Sequence, residues 1–216
     1  MTPLFVLGAE AFAVEVVQLI ENSLVAADYG IQALLALPGE EGRERRQPVL
    51  PFAEHTFCAH AAYVLGTSQA EQRLRLIETW VDRFRPQLPN FVHQRACADG
   101  AVFAGGGNLI FPFCYVGANV TFGRLNVLNA CCSIGHHSRL GDNNFFAPNC
   151  HTGNSSRFGA NNFLGVGVAS IHEMEMGSGN RVQAGTALLE AVGDGQLVFV
   201  PARVKQLGLY GRQTNG

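Results

Sequence analysis

The chain has 216 residues, enough for one large domain or two small ones around a sizeable core. Its formal net charge is −2 and only 15% of its residues are charged, which points away from nucleic acid and from anionic membranes as partners. No apolar run reaches the ~18 residues of a membrane span, and Met1-Thr2-Pro3-Leu4 lacks a basic stretch leading into a signal core, so the sequence predicts a cytoplasmic protein.

Pro3 to Gly8 reads as a buried parallel-type strand ending in glycine. Ala13, Val16, Val17 and Ile20 then recur at helical spacing between Ala11 and Asn22, so strand, turn and helix open a βαβ unit. Ile31 to Leu37 is a second apolar run, closed by Pro38-Gly39, and the charged Glu40 to Arg46 reads as a solvated loop. Ala61 to Gly66 is another buried strand. Ser68-Gln69-Ala70-Glu71 has the form of a capping box, opening a helix with Leu74, Ile77, Val81 and Phe84 on one face. Pro86 and Pro89 end it, so residues 1–89 are expected to form a small α/β domain.

From Ile110 to Leu188 every sixth residue is large and apolar, apart from Thr152 and Ser170. Glycine follows that residue in most hexads, and Asn126, Cys132, Ser138, Asn144, Cys150, Ser156 and Asn162 stand four places after it. A helix would repeat at about 3.6 and a half-buried strand at about 2. A period of six fits a coil with three flat faces, the apolar residue pointing inward and stacking on its counterpart 18 residues later. Glycine would serve corners that need unusual backbone angles. The sequence therefore predicts a parallel β-helix over 90–190, with a first coil interrupted by Gly105-Gly106-Gly107, and a C-terminal strand and tail over 191–216. The six cysteines match no zinc spacing. Cys114, Cys132 and Cys150 share one repeat position and should stack as small hydrophobes, whereas Cys131 points the other way and is the one to test for reactivity.

The order of motifs resembles the bacterial hexapeptide-repeat sugar acetyltransferases, the family of sialic-acid O-acetyltransferases and of the bacillosamine and perosamine N-acetyltransferases. The resemblance covers almost the whole chain. It rests on Phe5-Val6-Leu7-Gly8-Ala9 before a helix, Val64-Leu65-Gly66 before an Arg-bearing helix, and Asn90-Phe91-Val92-His93 at the domain junction. It continues through Ile134-Gly135-His136-His137-Ser138-Arg139-Leu140-Gly141-Asp142, Phe163-Leu164-Gly165 and Val200-Pro201-Ala202-Arg203. It implies a left-handed parallel β-helix preceded by a Rossmann-like domain, a homotrimer, and acetyl-CoA as acyl donor with no metal.

Acyl transfer from coenzyme A needs a base for the attacking nucleophile, donors for the thioester oxygen as it becomes anionic, and a groove for the pantetheine arm. His136 follows the glycine of its hexad and so leaves the coil at a corner; the resemblance makes it the base, against the plainer reading of a surface or interface histidine. Relatives follow that histidine with an acid, where this chain has His137, and Asp142 from the neighbouring corner is the substitute considered. Many relatives carry a second histidine where this chain has Phe145. Carried over, the acetyl-CoA contacts fall on Phe145, Val166 and Ala184, with amides near Gly153 and Asn154 as oxyanion donors and Pro201 and Arg203 at the adenine end. For Val166 and Ala184, plain coil packing competes with that role.

In the family the first turn meets the nucleotide of a nucleotide-sugar. Here it reads Gly8-Ala9-Glu10-Ala11-Phe12-Ala13, so Gly8, Glu10, Ala11 and Phe12 are the substrate-binding candidates, with Glu10 placed to repel phosphate. The acidic pair that ends the family's second strand is replaced near Leu35 and Ala36, so the pocket is altered. Two other classes compete. A zinc site of the γ-carbonic-anhydrase type would draw on His136, His137, His151 and His172, but no two of these are five residues apart. A non-catalytic binding or assembly module would keep the coil and lose His136 and the Pro-Ala-Arg ending, and both are present. The expectation is acetyl transfer from acetyl-CoA to the amino group of an amino sugar, nucleotide-linked in the family, in surface polysaccharide or glycan synthesis. The alternatives are O-acetylation of a sugar hydroxyl or of a non-nucleotide small acceptor, or a non-catalytic binding or assembly module with a degraded site.

Overall fold

The computed structural model describes residues 1–40 and 45–201. Strands β1 (Thr2–Leu7), β2 (Tyr29–Ala36), β3 (Val49–Pro51) and β4 (Ala62–Leu65) form a parallel sheet in the order β3-β2-β1-β4. β1, β4 and the second half of β2 read as near-continuous apolar runs because both faces of the sheet are covered: Leu4, Val6, Leu34 and Val64 face helix α1 (Ala11–Glu21), while Leu7, Leu35, Tyr63 and Leu65 face helix α2 (Ala70–Leu76) and its continuation. α1 buries Phe12, Ala13, Val16, Val17, Leu19 and Ile20, the helical stripe expected.

Two local expectations are corrected. The capping box does not form: α2 begins after Gln69 with no side-chain cap, and Thr67 Oγ1 instead donates to Gln72 Oε1 at 2.7 Å. α2 then runs into a π-helical turn, Ile77–Val81, so the buried face is Arg73, Leu76, Ile77, Trp80 and Val81. Glu40 is not solvated; it is 2% exposed.

The coil has three faces, each a parallel sheet whose strands pair at the 18-residue register, such as Val127 with Phe145, Ser133 with Tyr115 and Arg139 with Arg157. The first face runs from Phe91–Val92 to Leu197–Val198, the second from Tyr115–Val116 to Ala187–Leu188, the third from Ala101–Phe103 to Glu175–Met176. Ile110, Phe122, Leu128, Ile134 and Phe146 are fully buried in one core. Inside each corner a ladder of polar or thiol side chains ties successive coils. Asn90, Asn108, Asn126, Asn144, Asn162 and Asn180 form one such ladder, each Oδ1 accepting the backbone N–H of the next rung at 2.8–3.2 Å and its side-chain amide at 2.9–3.1 Å. Asn180 closes it on Gln196 N. Cys114, Cys132 and Cys150 form the second, their thiols on carbonyls at 3.1–3.2 Å. The Cys132 thiol is pushed far up by its Cys114 and Cys150 neighbours and by burial, so it is inert. Ser138 and Ser156 form the third. Cys131 is exposed, and so is Cys97.

The glycines act differently from the expectation. Left-handed angles fall two residues after the corner glycine, at φ 53–62 on Asn119, His137, Asn143, Ser155 and their non-glycine counterparts and at φ 72–74 on Gly167, Gly179 and Gly185. Gly135 and Gly153 are needed because the next coil lies against them: a Cβ on Gly135 would sit 2.5 Å from Asn154 N.

The α/β domain docks on the first face. Phe12 of α1 packs on Phe111 and Phe145, at ring separations of 5.8 and 5.4 Å. Arg73 of α2 is 1% exposed, donates to Thr67 O at 3.1 Å, Leu125 O at 2.7 Å and Asn143 Oδ1 at 3.0 Å, and lies over the Phe145 ring. Burial pulls its guanidinium down to about 10.

Candidate active site at a corner of the coil

His136 and His137 occupy the corner between the second and third faces, between the strands Ser133–Ile134 and Arg139–Leu140. Ile134 and Leu140 are buried, and that register forces the intervening His136 and His137 outward, where both are exposed. Their Nδ1 atoms lie 2.9 Å apart, the rings edge-on at 88°. Asn119, one coil earlier, places its amide 3.2 Å from His137 Nε2. The corner is thus a chain of three groups, Asn119, His137 and His136, and only Nε2 of His136 is left to face a reactant.

Gly153 and Asn154 lie one coil on, stacked against Gly135 and His136, and Ser155 N donates to His136 O at 2.8 Å. The Gly153 N–H is committed to Ser170 O at 3.1 Å, whereas the Asn154 N–H has no partner among the described residues. Of the two amides considered as oxyanion donors, the structure leaves Asn154.

Asp142 is not brought to His136. It sits at the next corner, where its carboxylate accepts from Arg124 N and Arg124 Nε, both at 3.0 Å, and Arg124 in turn binds Asp82. Phe145 is 4% exposed on the first face, stacked on Phe163 at 5.3 Å and covered by Phe12. It belongs to the seam between domains rather than to the histidine corner. Val166 is 50% exposed and Ala184 stacks one coil on, both at the corner between second and first faces. Pro201 is exposed at the end of the described chain, and Arg203 lies outside the described residues. Among the described residues no group of three His, Cys, Asp or Glu converges on a metal position.

The second face carries Tyr115, Ser133, His151, Ala169 and Ala187 outward, with no formal charge apart from what His151 takes up, and Ser133 Oγ lies 2.8 Å from His151 Nδ1. The third face carries Arg139, Arg157 and Glu175, the last two paired at 3.7 Å. Across the second face from His136, a cavity of about 680 Å³ opens between the domains, lined by Phe12, Glu15, Gln69, Phe145, Phe163 and Arg181 among others. The substrate-binding candidates divide there. Ala11 and Phe12 line the cavity, Glu10 is tied to Gln69 Nε2 at 2.5 Å, and Gly8 turns away with its N–H on Leu35 O. Sequence reasoning missed Asn119 and Arg181; the polar residue one coil before His137 was the available signal for Asn119.

No protein-family model and no curated protein matches the sequence. Solved structures do share the fold. The acetyltransferase domain of PglB from Neisseria gonorrhoeae superposes with a TM-score of 0.79 at 21% identity, covering 90% of this chain and 95% of that one. A mutant of perosamine N-acetyltransferase from Caulobacter crescentus, in complex with CoA and GDP-perosamine, gives 0.76 at 20% identity over 94% and 97%. WeeI from Acinetobacter baumannii gives 0.69 at 20% identity over 94% and 99%. The class defined by fold is therefore a parallel β-helix joined to a small parallel-sheet α/β domain. Within that class the chain is similar in fold, along nearly its whole length, to solved structures that include an acetyltransferase domain and a perosamine N-acetyltransferase.

Proposed function

We propose that the chain transfers the acetyl group of acetyl-CoA to the amino group of an amino sugar. The observation that carries this is the His136 corner: an imidazole with one nitrogen held and the other open, beside an amide of the next coil that is unpaired among the described residues. For His136 to take a proton on Nε2, its Nδ1–H must donate to His137 Nδ1. His137 then carries its proton on Nε2, and the Asn119 amide, whose nitrogen faces that atom at 3.2 Å, must turn over to present its oxygen as the acceptor. His137 thus does as a neutral ring what an acid does in the relatives. The amine attacks the thioester carbon, its proton passes to His136, and the developing oxyanion is met by Asn154 N–H. Collapse breaks the C–S bond, and CoA leaves as the thiol with the proton from His136.

In this reading the helix is left-handed, and the order β3-β2-β1-β4 supports a Rossmann-like half for the first domain. Residues 1–89 hold the acceptor, 90–190 perform transfer, and the strand that follows, up to Pro201, borders the adenine end. Val166 and Ala184 flank the pantetheine arm at a corner the domain leaves open. The acceptor cavity and His136 lie at opposite edges of the second face, so one chain does not complete the site. The uncharged second face, edged by exposed Phe113, Tyr115, Val166, Ile171 and Leu189, supports a homotrimer that brings one copy's cavity to another's histidine. No helix among the described residues is long and apolar enough to cross a membrane, and the reading places the enzyme in the cytoplasm, where acetyl-CoA is made. The test is release of free CoA thiol from acetyl-CoA with a panel of amino sugars. Release by wild type that disappears in His136→Ala supports the reading, and full turnover by the variant rejects the base assignment.

A further inference from the structure

The first βα turn of a parallel sheet is where such folds receive a ligand anion: strand ends and the helix start converge there with unpaired N–H groups. In this chain that place is already filled from within. Leu37-Pro38-Gly39-Glu40 forms a tight turn, with Glu40 N donating to Leu37 O at 2.9 Å and Gly39 at φ 87, the proline–glycine order such a turn requires. The turn folds the Glu40 side chain back over the ends of β1 and β2. Its Oε2 accepts from Ala9 N at 2.7 Å and from Leu37 N at 3.0 Å. Glu40 is 2% exposed, and its Oε1 is buried with no hydrogen-bond partner among the described residues. Arg45 Nη2 closes the other side of the turn on Ala9 O at 2.9 Å. A carboxylate buried with an unsatisfied oxygen is costly, and its two amide bonds are those a phosphate oxygen would make.

Around the cavity, Glu10, Glu15 and Glu71 outnumber Arg181. Glu10 enters α1 beside the turn, Glu15 lines the adjoining cavity with its carboxyl raised by burial, and Glu71 opens α2 there and neutralises Arg181 at 3.3 Å. A diphosphate in this cavity would meet Glu15 and Glu71, with Glu10 held on Gln69 at its rim, and at the neighbouring turn it would find the Ala9 amide taken. A neutral or ammonium-bearing sugar, laid against the half-buried Phe163 ring that lines the cavity, meets none of these costs.

We propose that Glu40 is a built-in anion occupying the phosphate place of the first turn, and that it selects for an amino sugar carrying no diphosphate. The substrate class rests on the acetyltransferase reading; the binding claim does not. The test is calorimetric titration of wild type, Glu40→Ala and Glu40→Gln with UDP, GDP and acetyl-CoA, each variant first checked for folding by circular dichroism. Wild type is expected to bind neither nucleotide saturably, and Glu40→Ala to bind at least one about tenfold more tightly or better. Glu40→Gln, which keeps the shape and removes the charge, should fall between. Micromolar binding of UDP or GDP by wild type overturns the proposal, as does a folded Glu40→Ala with no gain. In turnover, wild type is expected to prefer the free amino sugar over its nucleotide-linked form, and the reverse preference overturns the selectivity. Absence of acetyl-CoA binding overturns the acetyltransferase reading alone, since the nucleotide titrations still decide the role of Glu40.

Discussion

The coil and the α/β domain solve the same problem of burying polar backbone and apolar side chains in opposite ways. The coil repeats one solution: an inward apolar residue, a ladder side chain and a left-handed corner, in step every 18 residues. The α/β domain uses contacts made once, such as Arg73 on three acceptors of two domains and Glu40 on two amides. Repetition makes a scaffold on which a departure stands out. At the position held by Ala118 and Asn154 in adjacent coils, the chain places His136. The difference teaches that activity should fail at one corner of the coil, whereas stability should fail at many.

The sharpest test of the repeated half is Asn144→Leu. It removes the acceptor of Asn162 N and the donor to Gly159 O and breaks the ladder at mid-height. Orphaned buried groups cost about 1–3 kcal/mol each, so a loss of about 2–5 kcal/mol is expected in denaturant unfolding. Next comes His136→Ala, expected to lower turnover by about 10²–10⁴-fold while the melting temperature stays near wild type, because the side chain is exposed. Arg73→Met probes the unique half. It leaves Thr67 O, Leu125 O and Asn143 Oδ1 without this donor but removes a buried cation, for a net loss of about 1–3 kcal/mol by the same unfolding measurement.

A pH titration separates the halves more gently. His55, partly buried against Phe5 and 2.9 Å from Tyr63 Oη, is held below its ordinary value by burial. Below about pH 6.5 the unfolded chain therefore binds more protons than the folded one, and stability falls as pH drops. Unfolding midpoints of His55→Gln should show a shallower fall than wild type over that range. The smallest effect is expected from Arg157→Ala, which breaks the exposed pair with Glu175 on the third face and should shift stability by less than about 0.5 kcal/mol.

The coil was legible from the sequence because its period differs from those of helix and strand, and the buried residues from Ile110 to Leu188 lie where the hexads put them. The three ladders were visible as compact residues, but not the pairing of Asn Oδ1 with the next rung. The glycines were read for their angles and proved to be needed for room, a distinction that only the neighbouring coil makes. Glu40 was hidden inside a charged run, since nothing local tells that the Pro38-Gly39 turn aims its carboxylate inward. Arg73 looked like any helix-surface arginine, because its acceptors lie far along the chain, Leu125 O and Asn143 Oδ1 among them. The corner histidines were legible by register and resemblance. That His137 Nδ1 stands 2.9 Å from His136 Nδ1, and that Asp142 is held by Arg124, needed three-dimensional neighbours.

The asparagine ladder has a consequence for how such a chain can change in length. Each rung receives from the rung after it and gives to the rung before it, from Asn90 through Asn180 to Gln196. Deleting one hexad would bring a cysteine or serine rung against an asparagine rung, and the amide would face a thiol or hydroxyl too short to answer it. The smallest segment that can be lost or duplicated with every partner restored is a whole circuit of 18 residues. Growth of this protein is therefore quantised along its axis, and shorter insertions are confined to the corners, where they leave the rungs untouched.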